Sequence, residues 1–169
     1  KSVFESEVIP WLPPKEKEAL DSYVKRMLES VKHPKPILVG VSFGGVIVQE
    51  MSKYIATEAT IIVSSVKSRE EFPLYMKFAS ATGAHKLLTA SGILSVKDFS
   101  KLGITKTQKK ILKQFEAYMT VRDKKYLTWA IDTIVNWDRK KADPNVYHIH
   151  GTSDEIFPFK RVSLSKLED

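Results

Sequence analysis

Apolar residues recur at spacings of three and four through residues 16–31. Leu20, Tyr23, Val24, Met27, Leu28 and Val31 carry the pattern, which predicts an amphipathic helix. Pro34 and Pro36 close that helix and favour an extended chain behind it. Residues 37–41 form a short continuous apolar run, as expected of a parallel strand covered on both faces. Helical periodicity returns at residues 43–54, through Val46, Ile47, Met51 and Tyr54, and a second buried-type strand follows at 60–64. Helix, strand, helix, strand in this order implies right-handed crossovers and a parallel sheet, hence an α/β fold.

The rhythm then changes. Residues 68–137 carry no good strand pattern, and Gly83, Gly92 and Gly103 punctuate them. Apolar clusters at Leu74/Phe78, Leu87/Leu88/Ile93, Ile111/Phe115/Met119 and 126–137 read as helices. The segment is expected to be a helical cap inserted into a core made of residues 1–67 and 138–169. After Asp143-Pro144-Asn145, residues 146–150 predict a third parallel-type strand ending at Gly151.

Composition narrows the chemistry. The chain of 169 residues is 43% hydrophobic and 28% charged, which suits one globular domain with a substantial core. It has no cysteine, which excludes disulfides, thiolate catalysis and cysteine-ligated zinc. The histidines are His33, His85, His148 and His150, and they form no metal-binding motif, so neither a metal nor a cofactor is expected. The formal net charge is +7, spread over scattered pairs such as Lys109/Lys110 and Lys124/Lys125. Nothing accompanies it that would specify nucleic-acid binding. No apolar run is long enough to cross a bilayer. The sequence carries no leader pattern, which favours a cytoplasmic location and no membrane partner.

The strongest chemical signal is Gly40-Val41-Ser42-Phe43-Gly44, between a strand pattern and a helix pattern. This is the layout of a nucleophile elbow, which lifts one serine hydroxyl to the end of a sheet strand. Gly40 and Gly44 leave room for the tight turn, and the start of the next helix directs free N–H groups toward a developing oxyanion. Ser42 is therefore the candidate nucleophile, and the Phe43 backbone N–H a candidate oxyanion donor. Ser64 and Ser65 end a strand without an elbow and read as strand-end caps. Asp154 follows the third strand by a short turn, at the sheet end where Ser42 is expected, and is the candidate triad acid. The histidine of such a triad follows the acid in sequence, and no histidine follows Asp154 here. His150 and His148 precede the acid and read as structural. His85 lies in the helical insertion, and His33 suits a helix C-terminus.

These pieces together resemble the α/β-hydrolase superfamily, most of all its small bacterial carboxylesterase-like members with a helical cap. The resemblance rests on Ile-Leu-Val-Gly-Val-Ser-Phe-Gly-Gly at 37–45, Ile-Ile-Val-Ser-Ser at 61–65 and Val-Tyr-His-Ile-His-Gly-Thr-Ser-Asp-Glu-Ile-Phe-Pro at 146–158. It covers the chain in order, with the cap matched only in character. It implies a three-layer parallel-sheet core, Ser42 as nucleophile, Asp154 as acid, Phe43 as oxyanion donor and Pro158 as the family's proline after the acid. It also implies an oxyanion loop before residue 1 and a catalytic histidine beyond Asp169, so the chain is expected to be an ordered part of a longer enzyme. The implied reaction is hydrolysis of a small carboxylic ester through an acyl-enzyme. Thioesterase or acyltransferase chemistry at the same serine, and a non-catalytic binding protein on the same fold, are the alternatives. The expected partner is a small-molecule ester or related acyl substrate. Tyr75, Phe78, Trp129 and Trp137 are the candidate substrate-facing side chains; oligomerisation is not readable.

Overall fold

The structure, a computed structural model, describes residues 6–83, 85 and 124–163. Its centre is a sheet of three parallel strands, β1 (Ile37–Val41), β2 (Ala59–Val63) and β3 (Val146–Ile149), adjacent in that order. The register aligns Val41 with Val63 and Val63 with Ile149, so the three strands end together. Around them lie α1 (Leu20–Leu28), α2 (Phe43–Met51), α3 (Leu74–Thr82) and α4 (Lys124–Asn136). Single 3-10 turns occupy Arg69–Glu71 and Phe159–Arg161. The architecture is α/β, as the alternation of patterns predicts.

The helices are shorter than their apolar periodicity. The pattern over 16–31 forms a helix only from Leu20 to Leu28, and that over 43–54 stops at Met51. In the first case residues 11–18 do other work. The Tyr23 hydroxyl is bonded to both the N–H and the C=O of Leu12, and Arg26 pairs with Glu18 across 2.7 Å. Glu18 and Arg26 are thus tied by tertiary geometry, and each holds the other in its charged form. At the far end α3 stops at Gly83, whose φ of 70° gives the left-handed turn that closes many helices.

The core lies on one face of the sheet. Leu38, Ile62 and Val146 point into it and meet Tyr23, Val24 and Met27 of α1, Ile47 and Met51 of α2, and Tyr126 and Leu127 of α4. A second cluster joins Val46, Val66, Phe72, Met76, Val135, Trp137 and Phe157. α3 and α4 therefore share a packed core with α2. The other half of the expected cap, residues 86–123, lies outside the described residues, as does the tail from 164.

The opposite face corrects one expectation. β1 is not covered on both faces, since Val39 and Val41 are about 60% exposed, and Tyr147 and Ile149 on β3 are similarly open. The topology supplies the reason. Parallel strands laid side by side in chain order, with crossovers of one hand, carry their connections to the same side of the sheet. The apolar run reflects what both faces need, and only one face is covered among the described residues.

Candidate functional site

The local structure at Ser42 follows from the meeting of β1 and α2. Ser42 has φ 52° and ψ −121°, a combination that a side-chain-bearing residue adopts only under constraint. Such a conformation costs about 1–3 kcal/mol and persists where the surroundings over-determine it. Here they do. The Ser42 N–H donates to Val63 O at 2.9 Å, which continues the ladder of β1 one residue past its end. The Ser42 carbonyl accepts from the Gly45 N–H at 2.9 Å and from the Ser65 hydroxyl at 2.8 Å.

The glycines make this turn possible by close approach. A Cβ on Gly40 would fall 2.2 Å from Gly44 O and 2.7 Å from Gly45 N, inside the first turn of α2. A Cβ on Gly45 would fall 2.4 Å from the Ser65 hydroxyl oxygen. Gly44 is different, because its added Cβ would meet only the Trp11 ring at 3.9 Å. α2 is thus pressed against the end of β1 at Gly40 and, at Gly45, against Ser65 and Ile62 at the end of β2, and its first N–H groups follow directly on Ser42.

Aromatic side chains wall the same helix terminus. Trp11 stacks on Phe43 with ring centroids 6.0 Å apart and 12° between planes. Trp129 meets Phe43 edge-on at 5.8 Å and donates its indole N–H to Glu18 O at 2.7 Å. The sequence identifies Trp129 as a candidate for the substrate side. It does not reveal Trp11. A Trp set among Pro10, Pro13 and Pro14 gives no periodic signal, so its partner is visible only in three dimensions.

Asp154 lies beyond the end of β3, and Ser42 beyond the end of β1, so both follow the C-terminal ends of strands that end together. One carboxylate oxygen, Oδ1, accepts from the Ile156 and Phe157 N–H groups, both at 2.9 Å. The other, Oδ2, is 3.7 Å from His150 Nε2. The loop hydrogen bonds of an Asx turn and an available second oxygen therefore coexist in one side chain. Tyr75 of α3 reaches this loop and donates its hydroxyl to Ile156 O at 2.9 Å. Its pKa is raised by desolvation and then by the charge on Asp154. Glu155 is exposed, and Asp143 sits before β3, bonded to the Asn145 N–H.

His150 lies beneath Asp154. Its Nε2 faces Phe157 O at 2.7 Å, and because a carbonyl only accepts, Nε2 carries the proton. Its Nδ1 meets His148 Nε2 at 3.0 Å, which in the neutral pair makes His148 the donor there. His148 Nδ1 is then a buried acceptor without a hydrogen-bond partner. Burial, the neighbouring His150 and then Lys67 push the His148 pKa down to about 4, while the Ser65 backbone opposes them. His148 of β3 and His150 just past it are thus bonded to each other, and His150 also to Phe157 O.

The other candidates separate. His85 is buried, with Nδ1 on Ala79 O and Nε2 on Asp132 Oδ1, each at 2.9 Å. Trp129 of α4 meets Phe43, and Trp137, just past α4, bonds Glu50; Asp132, the partner of His85, lies between them in sequence. His33 is exposed, five residues past Leu28, where α1 ends. Trp137 is 4% exposed and bonded to Glu50 Oε1 at 3.0 Å, which makes it core rather than substrate-facing. Phe78 and Leu74 are exposed on α3. Ser65, read from sequence as a strand-end cap, instead bonds across to Ser42.

A cleft of about 550 Å³ is lined by Glu18, Asp21, Glu50, Asp132 and Asp138 among others, and by Trp129, whose ring also meets Phe43. Most of these carboxylates already have partners, in Arg26, Lys25, Trp137 and His85. Among the described residues no three His, Asp or Glu side chains group so as to hold a metal ion. No described helix is long and apolar enough to cross a membrane. No family model and no curated protein matches the chain.

Proposed function

We propose that this chain carries the nucleophile and the acid of a serine hydrolase, built on a three-layer α/β-hydrolase-type core. In this reading Ser42 attacks the carbonyl of a small carboxylic ester, and the Phe43 N–H stabilises the oxyanion. A histidine outside these 169 residues takes the proton from Ser42 and passes it to the leaving alcohol. Asp154, through Oδ2, holds that histidine and stabilises its charged form. Water then releases the acyl group by the same steps. The observation that carries the reading is the left-handed φ of Ser42 at a strand-to-helix turn, with α2 packed against Gly40. Ser64 shares the left-handed φ at the end of β2, so the reading rests on that φ together with a helix that starts at the next residue and packs on Gly40.

The second reading is a non-catalytic binding protein on the same fold. It is favoured by the engagement of His85, His148 and His150 in contacts of their own. Thioesterase and acyltransferase chemistry would use the same serine and differ in the leaving group or acceptor.

The test is covalent labelling of the full-length protein with a fluorophosphonate, with the adduct located by peptide mass spectrometry and Ser42→Ala as the control. Labelling at Ser42 that disappears in the control is the expected result. A folded full-length protein that takes no label would remove the hydrolase reading and put the binding protein first.

A further inference from the structure

The Ser65 hydroxyl sits where it controls the proposed oxyanion donor. The Ser42 carbonyl and the Phe43 N–H belong to one peptide unit, which is planar. Whatever fixes the carbonyl also fixes the direction of the N–H. Two groups bond that carbonyl. The Gly45 N–H belongs to the turn itself, and the Ser65 hydroxyl, at 2.8 Å, comes from two residues past the next strand. A hydrogen bond donated to a carbonyl also polarises its peptide and strengthens the N–H on the other side as a donor.

Ser65 follows a bend at Ser64. Ser64 has φ 45°, the left-handed region that residues with a Cβ enter only sparingly, yet its N–H still bonds Ile149 O at 2.9 Å. Its position on the sheet matches that of Ser42, whose N–H bonds Val63 O. The ends of β1 and β2 thus carry the same device, a left-handed serine one residue past the strand. The second device turns Ser65, fully buried, back toward the first. Gly45 clears the space, since any side chain there would collide with the Ser65 hydroxyl.

From this we infer that Ser65 is a positioning residue: its hydroxyl locks the Ser42–Phe43 peptide so that the Phe43 N–H points at the oxyanion. The inference rests on the hydrolase reading for its chemistry, and on the hydrogen bond alone for its geometry. It accounts for both the left-handed Ser64 and the bare Gly45, which a simple strand-end cap does not require.

Two measurements on the full-length protein test it. The first is the fluorophosphonate labelling rate at Ser42, resolved into its saturation constant and its maximal rate. Loss of an oxyanion donor outright lowers rate about 10²–10³-fold, so loss of its positioning in Ser65→Ala is expected to lower the maximal rate by about 10-fold or more. The saturation constant should hold, as a general loosening of the fold would not allow. Ser65→Cys keeps the size with a weaker donor and should fall between. It carries the test if Ser65→Ala does not fold. Ser64→Gly, which adopts the same φ freely, should label like wild type. The second measurement is amide hydrogen exchange at Phe43 and Gly45 by NMR, expected to quicken in the Ser65 variants. Unchanged labelling in a folded Ser65 variant would overturn the inference. If wild type takes no label, the hydrolase reading fails separately. The exchange data then decide whether Ser65 locks the peptide, and unchanged exchange would overturn that as well.

Discussion

Substituting Gly40 by alanine is the sharpest test of how the elbow is built. The new Cβ would lie 2.2 Å from Gly44 O, 2.4 Å from Gly44 C and 2.7 Å from Gly45 N. All three atoms are backbone, so no side-chain rotation relieves the overlap. Ordinary contact begins at roughly 3.4 Å, so β1 and the first turn of α2 must part by about 1 Å. That displacement would break two sets of interactions at once. The close packing of Val46 and Ile47 beneath the helix would loosen, and the hydrogen bonds to the Ser42 carbonyl would lengthen. Overpacking of a tight core costs about 1–3 kcal/mol, and a backbone obstacle puts this case at the upper end or above. Gly44→Ala is the matched control, because its Cβ would meet only the Trp11 ring at ordinary contact distance. Alanine is also the better helix former by roughly 0.5–1 kcal/mol, so Gly44→Ala should be neutral or slightly stabilising. Urea unfolding followed by circular dichroism measures both, with the slope checked so that the midpoints compare like with like. A Gly40→Ala protein within about 0.5 kcal/mol of wild type would refute the close packing of α2 on β1. Equal damage from both substitutions would refute the distinction between them.

Further outcomes follow from the buried polar groups. Trp137→Phe removes the indole N–H from Glu50 Oε1 and leaves Arg139 at 3.5 Å as its remaining cation partner on that oxygen. The expected cost is about 1–2 kcal/mol, a fall of several degrees in thermal midpoint, and an unchanged midpoint would refute it. Gln49→Met removes the buried amide donor to the carbonyls of Gly45 and Val66. Two carbonyls would lose a partner, so about 1–3 kcal/mol should be lost, read by urea unfolding. His148 gives a pH dependence. Its folded pKa of about 4 lies below the ordinary 6.5, so the unfolded chain takes up the proton first. Its contribution is fully present above about pH 6.5 and is lost as pH falls from there through 4. Allowing for its partial exposure, this is on the order of 1–2 kcal/mol, and it should be much reduced in His148→Gln when unfolding at pH 7 is compared with pH 4.5.

Much of the candidate site was legible before folding because it is local. Gly40, Ser42 and Phe43 sit within four residues at a change of period from strand to helix, and that change alone locates the turn. Asp154 was legible as the acidic residue in a short loop after the third strand. The rest depended on contacts between distant segments. Trp11 covers Phe43 from 32 positions away in the sequence, and Ser65 reaches the Ser42 carbonyl from 23. Neither carries a periodic signal, since one lies among prolines and the other just past a strand. Trp137 shows the reverse case. Its place in an apolar helix suited either core or substrate, and only its bond to Glu50 resolves the choice.

The sequence by itself determined the α/β class, three parallel strands and the order of elements, because hydrophobic period and Gly/Pro punctuation act over a few residues at a time. It overran the helix ends, because periodicity marks which residues face the core and not where backbone hydrogen bonding stops. Only the tertiary structure decided that the described helices gather on one side of the sheet, leaving Val39, Val41, Tyr147 and Ile149 open. An apolar run records that a strand is suited to burial on both faces, and the connections decide which face is covered. In the same way, the strained backbone of Ser42 is a property of no single segment. It is held by Val63, Gly45 and Ser65 together, and it exists only once the ends of two strands and the start of one helix have been brought into contact.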